Sequence, residues 1–471
     1  FVMMLMVSNH YHFLANRYPG TGGLYNYVKY IFGYDRAFLV GWFMFLTYIS
    51  IFWANATSVP LFARYFLRGV FKVGYLYTIF GYEVYAGEAA VTLIVMGLVA
   101  LLSLGLFLVF KGTPNNVSTL PFILTLGFGS WGINILNIWP TVFGVMVYCL
   151  VKKEKFGANV NAMLFSTGIA PIITDLMIRY PHAETVGFNA AGIALALFIG
   201  AIIGFFLPAG LAHSPKVHKG FDLYSAALPI GMTAFFLNAT LFKTLGVELP
   251  AGAAAADLQV ASAPIVNTFC GIVFGLCVVV AFLMGCKPKD YWNLLTDPDQ
   301  VTSFTAKYGN ATFLMNVGLF GLFILGYYNL IGGTFNGVTF GIVFCMLSTC
   351  NSGSHPGNVW PIMLGYVLAS TLFGWLSQFV GGTFTLAINA QAIMVGLCYA
   401  NGLSPIADKY GWPFGILAGS MHYLLVTSVP ALHGGYCLYN GGFTAALICI
   451  ILVPELERFF KTKDEKKALK S

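Results

Sequence analysis

Charge is what this sequence has least of. Asp, Glu, Lys and Arg together make up 9% of its 471 residues, against 58% hydrophobic residues. A soluble globular chain carries about 25% charged residues, so this composition excludes that class and leaves an integral membrane protein. Also missing are GxSxG, HExxH, a Walker loop and any DxD-like carboxylate cluster. Catalysis has no visible constellation, and the chain is not expected to be an enzyme. The nine cysteines, at 149, 270, 277, 286, 345, 350, 398, 437 and 449, form no CxxC pair and have no His at ligand spacing. Neither a metal nor a cofactor is expected, and the thiols read as small apolar fillers. No basic stripe with interleaved aromatics is present, so the formal charge of +7 does not announce a nucleic-acid partner. No cleavable signal peptide is visible, and the chain opens inside an apolar run, FVMMLMV, without an initiator Met, as an incomplete reading frame would.

What is present is apolar length, with 16% aromatic residues suited to membrane interfaces and 53 glycines that let helices approach closely. Runs approaching the roughly 20 apolar residues that a spanning helix needs lie near 37–60, 89–110, 160–177, 188–211, 221–244, 264–285, 312–331, 357–379, 385–401, 411–429 and 436–455. Shorter runs interrupted by Gly and Pro lie at 117–133, 135–151 and 334–350. With the fragment at 1–15, the expectation is an all-α polytopic integral membrane protein of about fifteen transmembrane segments, its first partner the lipid bilayer. Basic clusters at 152–155, 213–219, 286–290 and 458–470 mark cytoplasmic loops. Two, two and six crossings separate them in turn. Every interval is even, which puts the C-terminus in the cytoplasm.

Several blocks are written twice. NNVSTLPFILTLGFGSWGINILNIWPTVFG (115–144) resembles FNGVTFGIVFCMLSTCNSGSHPGNVWPIMLG (335–365), with Asn116 and Thr119 opposite Asn336 and Thr339. TGIAPIITD (167–175) resembles NGLSPIAD (401–408), and HKGFDLYSAAL (218–228) resembles HGGYCLYNGGF (433–443). Counting NIWPTVFG (137–144) against NVWPIMLG (358–365) within the first pair, four matched blocks in one order define membrane repeat A over 95–245 and repeat B over 312–456. A connecting span and polar linker fill 246–311, and a basic cytoplasmic tail follows at 457–471. Seven crossings separate His218 from His433, an odd number. Two inverted-topology repeats are therefore expected, the plan of many secondary transporters and several channels.

Carriers of this plan bind solute near the midplane, at broken helices. That directs attention to SWGINILNIWP (130–140) and STCNSGSHPGNVWP (348–361). The candidate substrate-binding residues there are Ser130, Asn137, Trp139, Asn358 and Trp360: an amide with donors and an acceptor, a ring to stack, then a helix-breaking proline. The same asparagines could equally cap helices, and the same rings anchor the interface. Asn116 with Thr119, and Asn336 with Thr339, either line a polar path for substrate or form N-caps. For proton or ion coupling the candidates are Asp175 and Asp408, just past Pro171 and Pro405, and His218 and His433, each with a Gly and a Tyr at fixed spacing. Loop carboxylates and tight turns held by a histidine are the bland alternatives. His422, inside an apolar run, reads as a helix-to-helix hydrogen-bond partner.

Two resemblances accompany these readings. Arg17, Pro19, Gly22, Gly23, Tyr25, Phe32, Gly33, Gly41 and Trp42 resemble the second to fourth spans of the amino acid, polyamine and organocation permease superfamily. This likeness makes 1–94 a partial amino-acid-permease-like segment, without the first and sixth spans that bind substrate in that superfamily. From about residue 95 onward, NIWP, NVWP, GLSPIAD and ALHGGYCLYNGGF resemble a bacterial membrane family, domain of unknown function 1576. That resemblance implies a multi-pass protein of the bacterial inner membrane and names no substrate. The two texts meet inside 89–110, as in a gene fusion or a chimeric frame. The expected function is secondary transport of a small solute, with or without a coupling ion, by alternating access. A channel or facilitator on the same scaffold, or a non-transporting membrane protein, is the alternative. Oligomeric state is not set by these patterns.

Overall fold

A computed structural model describes residues 12–14, 16–17, 23–38, 40, 44, 88–181, 188–248, 263–297 and 303–468. Most of the expected crossing at 37–60, and Pro19, Gly22, Gly41 and Trp42, lie outside them. The chain divides into two compact units, Phe1–Arg68 and Gly69–Ser471. In the first, GLYNYVKYIF forms a helix over Gly23–Phe32 that stops at Gly33, where φ is +89°.

The second unit contains helices only, among its described residues. Helix α1 spans Glu88–Val109, α2 Thr119–Phe128, α3 Trp139–Lys152, α4 Val160–Ser166, α5 Pro171–Arg179, α6 Ala190–His218 and α7 Ala227–Leu237. After α8 (Ala263–Leu283) come α9 (Phe304–Leu330), α10 (Gly337–Leu347), α11 (Pro356–Phe379), α12 (Gln391–Ala400), α13 (Ser404–Tyr410), α14 (Trp412–Val426) and α15 (Asn440–Phe459). Among the described residues, five helices are long and apolar enough to cross a membrane: α1, α6, α8, α9 and α11. The bent pair Phe156–Ile169 and Pro171–Ile178, at 53°, would make a sixth. Apolar side chains such as Leu101, Phe198 and Leu283 point outward from them, as lipid-facing residues do. Other apolar stretches, those of α2, α3, α10 and α14 among them, form shorter helices.

Local chemistry explains the shortness. Helix α2 tightens over Gly129–Trp131 and stops at Gly132, with φ at +110°, a backbone setting that glycine adopts freely. Helix α10 repeats this, tightening over Ser348–Asn351 and turning at Gly353, φ +130°. Prolines Pro140, Pro171, Pro356 and Pro405 then sit in the first turns of α3, α5, α11 and α13, where a missing N–H costs nothing.

The succession α1–α7 recurs as α9–α15, and so does its packing. Helix α3 meets α6 through Gly144 and Gly204, whose Cβ positions are occupied by the backbone of Ala201 and Thr141. Helix α11 meets α14 through Gly365 and Gly419, against the backbone of Ile416 and Ile362. These are the same positions of each repeat, and each removes a side chain so that two helices touch at their backbones. Between the repeats, α2 lies against α10. The start of α2 meets the end of α10, where the Asn351 amide reaches the Asn116 carbonyl at 3.2 Å. The start of α10 meets the end of α2, where Trp131 Nε1 donates to the Val338 carbonyl at 3.1 Å. The two helices are therefore antiparallel. Every residue of α10 is buried, as fits an apolar helix enclosed by protein on all sides.

Candidate functional site

The two similar loops cross to the opposite repeat. After α6, the loop carrying Leu223 donates its N–H to the Gly402 carbonyl at 3.1 Å, in the tight turn between α12 and α13. Before α15, Leu438 donates its N–H to the Gly168 carbonyl at 2.8 Å, in the equivalent turn between α4 and α5. Each glycine leaves room for a tyrosine ring from the same loop, Tyr224 on Gly402 and Tyr439 on Gly168. The Tyr224 hydroxyl reaches the Cys345 carbonyl and Asn401 Oδ1, both at 2.9 Å. A matched backbone bond explains why loop register is repeated: shifting either loop by one residue would lose the bond and place the ring on a side chain.

The broken helices thus meet at the centre, but rings fill the space. Trp131, Tyr224, Tyr399 and Tyr439 are fully buried there, with Tyr224 and Tyr399 edge to face at 4.9 Å. Of the candidate substrate residues, Asn137 and Asn358 brace the loops after the breaks. Asn137 accepts the Asn134 N–H at 3.0 Å and donates to the Gly132 carbonyl at 2.8 Å. Asn358 accepts the His355 N–H at 3.0 Å and donates to the Gly353 carbonyl at 2.8 Å. Their remaining donors go to Thr174 Oγ1 at 3.0 Å and Asp408 Oδ2 at 2.7 Å. The structural partner of Asp408 is therefore Thr174, one residue before Asp175, because the register follows Pro171 and Pro405. Asp175 is buried in α5.

A similar shift affects the caps. Asn336 and Thr339 close a capping box on α10. Its equivalent is built by Asn115 and Ser118, where Asn115 Oδ1 accepts the Val117 N–H at 3.0 Å and Ser118 Oγ accepts the Asn115 N–H at 2.9 Å. Asn116 is exposed, and Thr119 Oγ1 lies 3.4 Å from the Asn351 amide. Ser130 is buried and donates to the Gly127 carbonyl. Trp139 and Trp360 face outward, Trp360 stacked on Trp412 at 6.3 Å, as interfacial rings do. His422 bridges Tyr366 Oη at 2.6 Å and the Gly441 carbonyl at 2.8 Å, tying α11, α14 and α15.

Open space lies beside the loop that follows α6. A cavity of about 650 Å³ is bordered by α2, α4, the end of α6 and this loop, and its lining includes Asn161, His218, Asp222 and Ser225. A second cavity, of about 790 Å³, adjoins it through Asn115, Ala158 and Asn161 and carries Lys111, Glu154 and Lys155. His218 Nε2 pairs with Ser225 Oγ at 2.9 Å, and its Nδ1 accepts the Gly220 N–H at 3.2 Å. In the other loop His433 pairs with Asn440, the residue equivalent to Ser225, at 2.6 Å. Both histidines hold their own turns.

Asp222 is a cavity-lining residue that the doubled blocks left unremarked. It sits outside the five candidate spans, 2% exposed, with Oδ1 accepting the Tyr224 N–H at 2.8 Å and Oδ2 without a hydrogen-bond partner. Burial pushes its carboxyl up to about 7, against the opposing pull of the Tyr224 N–H. Its counterpart in the second loop is Cys437, so the signal was there: FDL against YCL. No group of three or more His, Cys, Asp or Glu that could hold a metal occurs among the described residues.

The family model described as protein of unknown function (DUF1576) matches residues 73–243 and 283–458. The chain belongs to this family. The two matched stretches cover α1–α7 and α9–α15, while residues 244–282, with nearly all of α8, fall between them. Residues 1–72 lie outside the match. No curated protein and no solved structure matches the chain.

Proposed function

We propose that this chain is a secondary transporter of a small solute, working by alternating access about a two-fold axis that relates α1–α7 to α9–α15. The observation that carries the reading is the reciprocal docking of the two loops, Leu223 on Gly402 and Leu438 on Gly168. Helices α2 and α10 run antiparallel, which supports an axis lying across them, in the membrane plane, and hence two inverted repeats. The even spacing of basic clusters then puts the C-terminus in the cytoplasm of a bacterium, with a permease-like segment preceding the repeats.

Alternating access needs one repeat open while its twin is closed. Beside the first loop lies the cavity with Asn115 at its edge. At the equivalent point of the second repeat the side-chain amides of Asn336 and Gln391 exchange two hydrogen bonds, of 3.0 and 3.1 Å. Counting back from Gly168, the position of Gln391 is taken by Gly157, which packs on the backbone of Phe110 and Lys111 and offers Asn115 no side-chain amide. Solute would enter by this side. The test is a counterflow screen of purified full-length protein in proteoliposomes preloaded with pools of unlabelled small solutes. Saturable exchange of at least one labelled solute is expected; passage at channel rates without exchange would replace the carrier by a facilitator.

A further inference from the structure

We infer that the cleft between the ends of α1 and α3 binds the head group of an anionic phospholipid. The inference goes beyond the carrier reading and does not depend on it.

Among the described residues, the non-glycine residues with a left-handed backbone are all lysines: Lys111, Lys153 and Lys219, each just past the end of α1, α3 or α6. In the twin repeat the corresponding turns are made by Gly332, Gly381 and Gly434. The match extends to the hydrogen bonds of the first turn. Lys111 and Gly112 donate their N–H groups to the Leu108 and Phe107 carbonyls, as Gly332 and Gly333 do to those of Asn329 and Tyr328. A left-handed backbone is disfavoured for any residue with a Cβ, and glycine escapes that cost. Helix dipoles favour a cation at any C-terminus, yet α9, α11 and α14 end without one. A topological signal needs positive charge near a span, at whatever loop position. Lysine kept at turns where the twin uses glycine therefore points to a partner for the charge.

The partner's shape is set by the cleft. Where Gly157 would carry a Cβ stand the carbonyl oxygens of Phe110 and Lys111, so the loops after α1 and α3 touch at their backbones. This contact brings Lys111 and Lys155 onto one cavity of about 790 Å³, within the 300–1,000 Å³ usual for small-molecule pockets. Lys152 and Lys153 flank it, and the acid among them is Glu154, whose carboxylate accepts the Asn159 amide at 2.9 Å. Among the described residues none of these four lysines forms an ion pair, whereas Lys219 is already paired with Glu457. The rest of the wall is apolar: Phe107, Phe110 and Phe156 line it, and Val109 and Leu150 at its rim are 74% and 66% exposed. Lys111 follows the candidate span Thr92–Val109 by two residues, which sets the cleft at the depth where head groups meet acyl chains. Lysine ammonium groups suit a phosphodiester, and the exposed apolar flank of α1 and α3 suits the chains attached to it. A free phosphate would use only the first of these features.

The experiment titrates full-length protein in an uncharged detergent, at fixed ionic strength, with dioctanoylphosphatidylglycerol, dioctanoylphosphatidylcholine or glycerophosphate, and follows the thermal unfolding midpoint. A saturable rise with the phosphatidylglycerol alone is expected, weakened at least tenfold in apparent affinity by Lys111→Gly combined with Lys155→Ala. Lys111→Gly by itself keeps the left-handed turn, as Gly332 does in the twin, so it should fold and weaken the response several-fold. An unchanged response in that variant overturns the assignment. An equal rise with phosphatidylcholine would mean a lipid effect without charge selection, and one with glycerophosphate a free-phosphate site; either overturns the proposal, as does the lack of any saturable rise. Lys216→Ala removes an exposed charge outside the cleft and should leave the response intact. A loss as large as that of Lys111→Gly would replace the site by diffuse surface charge. No solute movement enters this readout, so its failure is separate from a failure of counterflow.

Discussion

Asp222 and Cys437 hold the same place in two similar loops, and only Asp222 ionises near neutral pH, since burial pushes the Cys437 thiol up to about 12. The consequence is a dependence of stability on pH. The Asp222 carboxyl is held at about 7 in the fold, while in the unfolded chain it returns to the ordinary range near 4. Below pH ~4 it is protonated in both states and costs the fold nothing; as pH rises to 7 and beyond, the folded state resists an ionisation that the unfolded state makes freely. Stability is therefore lost on going up in pH, by at most roughly 4 kcal/mol. Asp222→Asn should unfold at a higher temperature than the parent at pH 8 and show no advantage at pH 4. An advantage that persists at pH 4 would mean that burial of charge is not its cause. The candidate asparagines illustrate the same scale differently. An Asn before Trp-Pro was visible in sequence, but whether its amide faced solute or its own loop depended on Gly132 and Gly353, whose carbonyls take the donors.

At the scale of elements, close approach by glycine governs the packing of α3 on α6 and of α11 on α14. A methyl group at Gly204 or Gly419 would meet backbone of Thr141 or Ile362, which cannot swing aside. Gly204→Ala and Gly419→Ala should each destabilise by about 1–3 kcal/mol, the usual penalty for overpacking. Gly326 of α9 has open space where a Cβ would stand, so Gly326→Ala should be neutral or stabilising by roughly 0.5–1 kcal/mol. Thermal unfolding in detergent compares the three; equal losses at all of them would mean that helix contact is not what the glycines provide. Apolar runs found most of these helices, because length and hydropathy are local. The interrupted stretches SWGINILNIWP and STCNSGSHPGNVWP also marked the break points, which fall at Gly132 and Gly353, but not the tight turns over Gly129–Trp131 and Ser348–Asn351 that precede them.

For the whole molecule the decisive matter is the sense of the two repeats. Lys216 and Ala431 occupy equivalent exposed positions, two residues before His218 and His433. In the proposed inversion they lie on opposite faces of the membrane. Lys216→Cys should react with an impermeant maleimide in inside-out vesicles and Ala431→Cys in right-side-out vesicles; labelling of both from one side would remove the membrane-plane axis.

Composition and apolar length determined the class, a helical chain with membrane-spanning capacity, because burial of apolar surface and satisfaction of backbone bonds are properties of each segment by itself. The doubled blocks gave the expectation that one plan is used twice. Tertiary structure alone decided that each loop reaches into the other repeat, that Thr174 and not Asp175 answers Asp408, and that Asp222 borders open space. Those facts belong to contacts between residues far apart in the chain, and no periodicity or spacing records which carbonyl a distant N–H will find.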